Sequence, residues 1–84
     1  MVKVNYETFK ERFDTLLVEK LGVDLEKIKP NARFSDLGVD SLDMAELTIE
    51  FEKEFDLSIA DYEVDQIVTV LDAETFIRKK LMIN

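Results

Sequence analysis

Apolar and polar residues recur along this chain at helical spacing. Tyr6, Phe9, Phe13, Leu16, Leu17 and Leu21 fall three or four apart, with Glu7, Lys10, Glu11, Asp14 and Glu19 between them. One face of a helix of about 3.6 residues per turn carries that pattern. Asn5 is placed to cap this first helix and Gly22 to end it. A second periodic stretch runs from Ser41 to Phe55. Asp40 precedes it as N-cap, and Asp43 completes an Asp-x-x-Asp variant of the capping box. Phe55 to Ala60 reads as extended or turn-like. Asp61 is then expected to cap a short third helix, Tyr62 to about Ile67. Thr69 opens the last helix with Asp72 as its box partner, and Ala73, Phe76, Ile77 and Leu81 form its inward face. Arg78, Lys79 and Lys80 suit the negative end of that helix's dipole.

Residues 23–40 sustain no period. Pro30, Asn31 and Gly38 punctuate them, yet Val23, Leu25, Ile28, Phe34 and Leu37 are apolar. Such a segment is expected to be pinned onto the core, with a short helical turn at Leu25 to Ile28. Long loops inside small domains are uncommon and often functional. The expected fold is all-α: a four-helix bundle of three main helices plus a short third, with a long ordered loop between helices 1 and 2.

Composition narrows the chemistry. The chain has 84 residues, enough for a single small domain over residues 1–84. Its hydrophobic fraction of 46% supports a packed core. It has no cysteine and no histidine, so disulfides, thiolate metal sites and imidazole bases are all unavailable to it. A net charge of −8 repels nucleic acid and anionic membranes and steers the chain towards basic protein surfaces. No apolar run approaches the roughly 18 residues that read as a membrane span. The start of the chain lacks signal and transit patterns. A monomeric cytoplasmic protein that neither inserts into membranes nor binds nucleic acid is expected.

The second helix carries two apolar stripes. Met44, Leu47, Thr48, Phe51 and Phe55 form one, which is read as the core face. Leu42, Ala45 and Ile49 form another, more than a third of a turn away. Asp43, Glu46, Glu50 and Glu54 lie between them, and Glu52 flanks the smaller stripe. The pattern fits a helix with a wide apolar face. It equally fits a partner-docking patch, since an apolar centre with a charged rim is the anatomy of a transient interface.

Ser41 sits where a helix presents unpaired N–H groups, a position that favours an anion such as phosphate. If Asp40 caps the helix, the serine hydroxyl stays free. A nucleophilic role lacks support: no histidine is present, no lysine stands at Ser-x-x-Lys spacing, and no Gly-x-Ser-x-Gly turn occurs. Asp36, Asp40, Asp43 and Glu46 surround Ser41, but Gly38 and Val39 break the order of a calcium loop, so no metal is expected there.

The run Asp36-Leu37-Gly38-Val39-Asp40-Ser41-Leu42-Asp43-Met44-Ala45-Glu46-Leu47 resembles the phosphopantetheine attachment motif of acyl carrier proteins. The resemblance extends through Leu21-Gly22-Val23, Asn31-Ala32-Arg33-Phe34, residues 52–59 and Ile67-Val68-Thr69-Val70. It implies a 4'-phosphopantetheine arm, taken from coenzyme A, on Ser41. A phosphopantetheinyl transferase would attach the arm, with magnesium on that enzyme, and the arm's thiol would hold acyl groups as thioesters. The missing cysteine is then no obstacle. The resemblance also implies partner docking through Asp40, Leu42, Asp43, Ala45, Glu46, Ile49, Glu52, Asp61 and Asp65. The partners would be acyl-transferring and chain-elongating synthase enzymes with basic docking patches. Phe9, Phe34, Leu47, Phe51, Ile59, Ile67 and Phe76 are candidates for sheltering the acyl chain or for ordinary packing.

Several positions depart from the family's pattern. Ala60 stands where many fatty-acid carriers have proline, Lys53 where an acid is common, and Ala45 where valine is usual. Tyr62 is unusual in the third helix, and the loop before the motif reads one residue short. A non-catalytic carrier in fatty acid biosynthesis is the expectation. The alternatives are a specialised carrier of a polyketide, aminoacyl or aryl unit, and an acidic helical adaptor without a prosthetic group.

Overall fold

The structure is a computed structural model and describes residues 6–82. Helix α1 spans Tyr6–Leu21, α2 Ser41–Phe55, α3 Asp61–Val64 and α4 Val70–Leu81. Among the described residues there is no strand, only an isolated antiparallel bridge between Arg33 and Thr69. The expected all-α architecture of three main helices, a short third and a long loop is what the chain adopts. The proposed Asn5 cap lies outside the described residues. Gly22 ends α1 with φ 67°, its N–H donating to the Val18 carbonyl at 3.0 Å.

The core is built where α1 meets α2. Phe9, Phe13, Phe51 and Phe55 are buried. The rings of Phe13 and Phe51 stack with centroids 5.4 Å apart, and Phe9 tilts against Phe55 at 5.2 Å. Each such pair contributes about 0.5–1.5 kcal/mol beyond the burial of its surface. Leu16, Leu17, Leu47, Val70, Ala73 and Ile77 complete the packing. Ion pairs bracket the same seam: Arg12 with Glu54 at 2.6 Å and Lys20 with Glu50 at 3.7 Å.

The inward face of α4 is the expected one, widened by two residues. Ala73 and Ile77 are buried, Phe76 and Leu81 pack half-buried against the core, and Val70 and Glu74 are buried beside them. Glu74 is tolerated there because α1 supplies its partners. Tyr6 donates to Oε1 at 3.3 Å and Lys10 lies 3.4 Å from the same oxygen. Lys10 also pairs with Asp14 at 2.9 Å.

The long loop is pinned as expected, by Ile28, Phe34 and Val39. It holds the expected turn as a 3-10 helix at Leu25–Lys27, and a second, unexpected one at Phe34–Leu37. Helix α3 also differs. Its N-cap is Ala60 and not Asp61, because the Glu63 carboxylate reaches back to accept the Ala60 N–H at 2.9 Å. It ends at Val64 rather than near Ile67. There the chain tightens into bonds from Gln66 N–H to Glu63 and from Ile67 N–H to Val64, drawing Ile67 into the core.

Candidate functional site

The residues around Ser41 turn the chain and cap the helix without using the serine side chain. Gly38 closes the second 3-10 turn with φ 81°, a left-handed conformation that a side chain would strain. Val39 then buries itself, its N–H donating to the Phe34 carbonyl at 3.0 Å. Asp40 follows as N-cap. Its Oδ1 accepts the Asp43 N–H at 2.9 Å, and Asp43 Oδ2 accepts the Asp40 N–H at 3.2 Å. Both halves of the expected box are therefore made. Ser41 is exposed. Among the described residues nothing hydrogen-bonds to its hydroxyl, and the N–H groups of Ser41 and Leu42 have no protein acceptor.

A cleft of about 310 Å³ opens beside Ser41. Phe34, Val39, Met44, Val64, Ile67 and Val68 give it apolar walls, and Ser35, Asp40, Ser41 and Asp65 contribute its polar lining. Of the residues proposed to shelter an acyl chain, Phe34 and Ile67 lie here. Phe9, Leu47, Phe51 and Ile59 belong instead to the packed core, and Phe76 is half-buried outside the cleft lining. Met44, expected on the core face, packs half-buried against the core and also lines the cleft. Val39, Val64 and Val68 are not among the residues expected to shelter an acyl chain. They come from three separate segments, and no spacing in the sequence brings them together.

The loop before Ser41 is laced to the junction of α3 and α4. Phe34 N–H donates to the Val68 carbonyl at 3.0 Å, Val70 N–H to Ala32 at 2.9 Å, and Leu71 N–H to Pro30 at 3.0 Å. Val68 is held in turn by Asp72, whose Oδ2 accepts its N–H at 3.1 Å and that of Thr69 at 3.0 Å. Thr69 Oγ1 accepts the Asp72 N–H at 3.1 Å, which makes the expected box at the start of α4. These bonds hold the Asp72 carboxyl below its ordinary pKa, the Thr69 N–H first.

The second stripe of α2 is open. Leu42 is 67% exposed and Ile49 48%, and Ala45 between them is also exposed. The surrounding acids divide by what they touch. Glu50 and Glu54 pair with α1. Glu52 is half-buried and accepts the Ile59 N–H at 2.9 Å, so it ties the chain leaving α2 as well as edging the stripe. Asp40 and Asp43 cap the helix. Glu46 is exposed, and among the described residues no ion pair forms with it. Asp61 is exposed outside the cleft lining, next to Tyr62 at 70% exposure, and the exposed Asp65 stands on the cleft wall itself.

A phosphate-linked group on Ser41 fits this arrangement. The hydroxyl is accessible, two outward N–H groups stand at the helix end, and an apolar cleft begins next to it. Comparison with known proteins identifies the family. Residues 11–77 match the family described as "Phosphopantetheine attachment site". An acyl carrier protein of Karelsulcia muelleri is 49% identical over 71 residues, covering 83% of this chain and 86% of that one. One from Chlorobium phaeobacteroides is 47% identical over 72 residues, covering 84% and 92%. The crystal structure of an acyl carrier protein from Thermotoga maritima superposes with a TM-score of 0.77 at 37% identity, covering 90% of this chain and 89% of that one.

Proposed function

The chain belongs to the acyl carrier protein family, whose prosthetic group is 4'-phosphopantetheine, and we propose that it holds that group on Ser41. The observation that carries the reading is the exposed Ser41 hydroxyl, left uncommitted by the Asp40–Asp43 box and set at the lip of an apolar cleft. In the attachment step the Ser41 oxygen bonds to the phosphorus that carries pantetheine in coenzyme A. The pyrophosphate P–O bond breaks, adenosine 3',5'-bisphosphate leaves, and the hydroxyl proton passes to the transferase. When bound, the arm supplies a thiol on which acyl groups travel as thioesters.

The chain itself is a non-catalytic carrier and a single carrier domain, serving fatty acid biosynthesis as a monomer in the cytoplasm. Among the described residues no helix is long and apolar enough to cross a membrane. Its partners are the phosphopantetheinyl transferase and the acyl-transferring and chain-elongating synthases. They dock on Leu42, Ala45 and Ile49, guided by Asp40, Asp43, Glu46, Asp61 and Asp65, with Glu52 at the edge. The exposure of that stripe supports the assignment.

Incubation of the arm-free protein with coenzyme A and a transferase tests the reading by mass. A gain of one phosphopantetheine that is absent in Ser41→Ala is expected. Failure to gain mass with several transferases leaves the acidic-adaptor alternative.

A further inference from the structure

The part of the cleft wall supplied by α3 is held differently from the rest. Helices α2 and α4 each bury several side chains, whereas α3 buries none. Val64 and the following Asp65 nevertheless line the cleft. Ile59 before α3 and Ile67 after it anchor the segment in the core. Between those anchors, beside the backbone bonds of the turn and the partial packing of Val64, a carboxylate ties the wall to α4. Glu63 Oε1 accepts the Ala60 N–H at 2.9 Å and also meets Lys80 Nζ on α4 at 3.2 Å. The side chains of Lys80 and Glu63 are 30% and 19% exposed, so water screens this pair less than a fully solvated one. The Lys80 ammonium also lies 5.1 Å from the centre of the Phe76 ring, which orients it towards Glu63.

We propose that Lys80 is a positioning residue for the cleft: through Glu63 it holds the α3 wall in place and so sets how well the cleft encloses a short acyl chain carried from Ser41. The proposal rests on the attachment reading. Lys80 lies outside both the cleft lining and the α2 docking stripe, so its effect reaches the cargo only by way of α3.

The test compares wild type, Lys80→Met, Lys80→Arg, Glu63→Gln and the Lys80→Met/Glu63→Gln double variant. Methionine keeps an apolar stem against Phe76, and glutamine keeps an acceptor for the Ala60 N–H, so each single variant removes charge and little else. Each protein is first loaded with the arm and weighed. Absence of the arm in wild type counts against the Ser41 reading and not against this one. The loaded proteins are then converted to hexanoyl and acetyl thioesters, and cleavage by hydroxylamine is timed.

The hexanoyl thioester is expected to be cleaved about two- to fivefold faster in Lys80→Met and in Glu63→Gln, the scale of one partly exposed ion pair. The double variant should be no faster than either single, and Lys80→Arg should match wild type. The acetyl thioester should be unaffected, because so short a group does not extend into the cleft. Equal acceleration of both thioesters, additive single effects, or an unchanged hexanoyl rate overturns the proposal.

Discussion

Phe34 donates its backbone N–H to the carbonyl oxygen of Val68 at 3.0 Å, and the two residues line the same cleft beside Ser41. The loop before Ser41 is thereby fastened to the junction of α3 and α4. Phe34 is 3% exposed, so its ring packs into the bundle as well as lining the cleft. Phe34→Ala should lower unfolding stability by about 3–5 kcal/mol, the usual cost of deleting a buried aromatic ring. Urea titration reads this directly, and a loss below 1 kcal/mol would mean that the ring does not anchor the loop.

The Asp40 cap predicts a smaller loss. Asp40→Ala removes the acceptor for the Asp43 N–H and should lower stability by about 0.5–2 kcal/mol. Asp40→Asn keeps an acceptor and should recover most of it. Ser41→Ala should leave the denaturation midpoint nearly unchanged, because the serine hydroxyl takes no part in the cap. A drop in Ser41→Ala as large as that in Asp40→Ala would contradict the assignment of cap and attachment roles.

The acids of α2 should fall into two kinds. Glu46 forms no ion pair among the described residues, so Glu46→Lys should slow arm transfer by a transferase with a basic docking patch. The deficit should be larger at low salt, where charge steering is least screened. Glu54 pairs with Arg12, so Glu54→Lys should act mainly on stability. Equal loading rates for Glu46→Lys and wild type at low ionic strength would remove Glu46 from the docking surface.

Acid should loosen the starts of α3 and α4 first. Glu63 lies below its ordinary pKa, held there by the Ala60 N–H and then by Lys80, and Asp72 is lowered by the Thr69 and Val68 N–H groups. A lowered folded-state pKa means that the unfolded chain binds more protons. The stabilisation is therefore present above the unfolded values, near pH 4, and is lost as pH falls through the folded ones. Glu63→Gln and Asp72→Asn should each flatten the fall of thermal midpoint between about pH 5 and pH 2. For Lys10 burial works to lower the pKa, but Asp14 and Glu74 outweigh it and raise it. Its contribution holds at neutral pH and fades as pH rises through that raised value. A midpoint fall of wild-type steepness in both acid variants would reject the roles given to Glu63 and Asp72.

Ala60→Pro reports on the departure from the usual carrier sequence. The φ of −77° at Ala60 suits proline, which gains about 0.4–1 kcal/mol from a stiffer unfolded chain. Proline also deletes the N–H that Glu63 accepts, a loss of about 0.5–1.5 kcal/mol. The two nearly cancel, so the midpoint should move little in urea titration. A large shift in either direction would show that one of these contributions is misjudged.

The sequence by itself determined the helices, the caps at Asp40 and Thr69, and the candidate attachment serine. These are local matters. A 3.6-residue period, a carboxylate three residues from its partner N–H, and a glycine with positive φ are all settled within a few residues. The motif around Ser41 was legible for the same reason. The start of α3 went astray although it too is local, because Glu63 caps in place of any side chain at residue 60.

Tertiary structure decided which of several apolar residues line the cleft beside Ser41 and which only pack. Phe9 and Phe51 have the same character in sequence as Phe34, but the stacking of α1 on α2 takes them into the aromatic core. Phe34 is carried to the cleft by a loop bonded to Val68 and Val70. The acids likewise became distinguishable only when α1 placed Arg12 and Lys20 beside Glu54 and Glu50 and left Glu46 facing solvent. Periodicity gives the side of a helix on which a residue lies. What stands opposite that side depends on contacts between segments far apart in the chain.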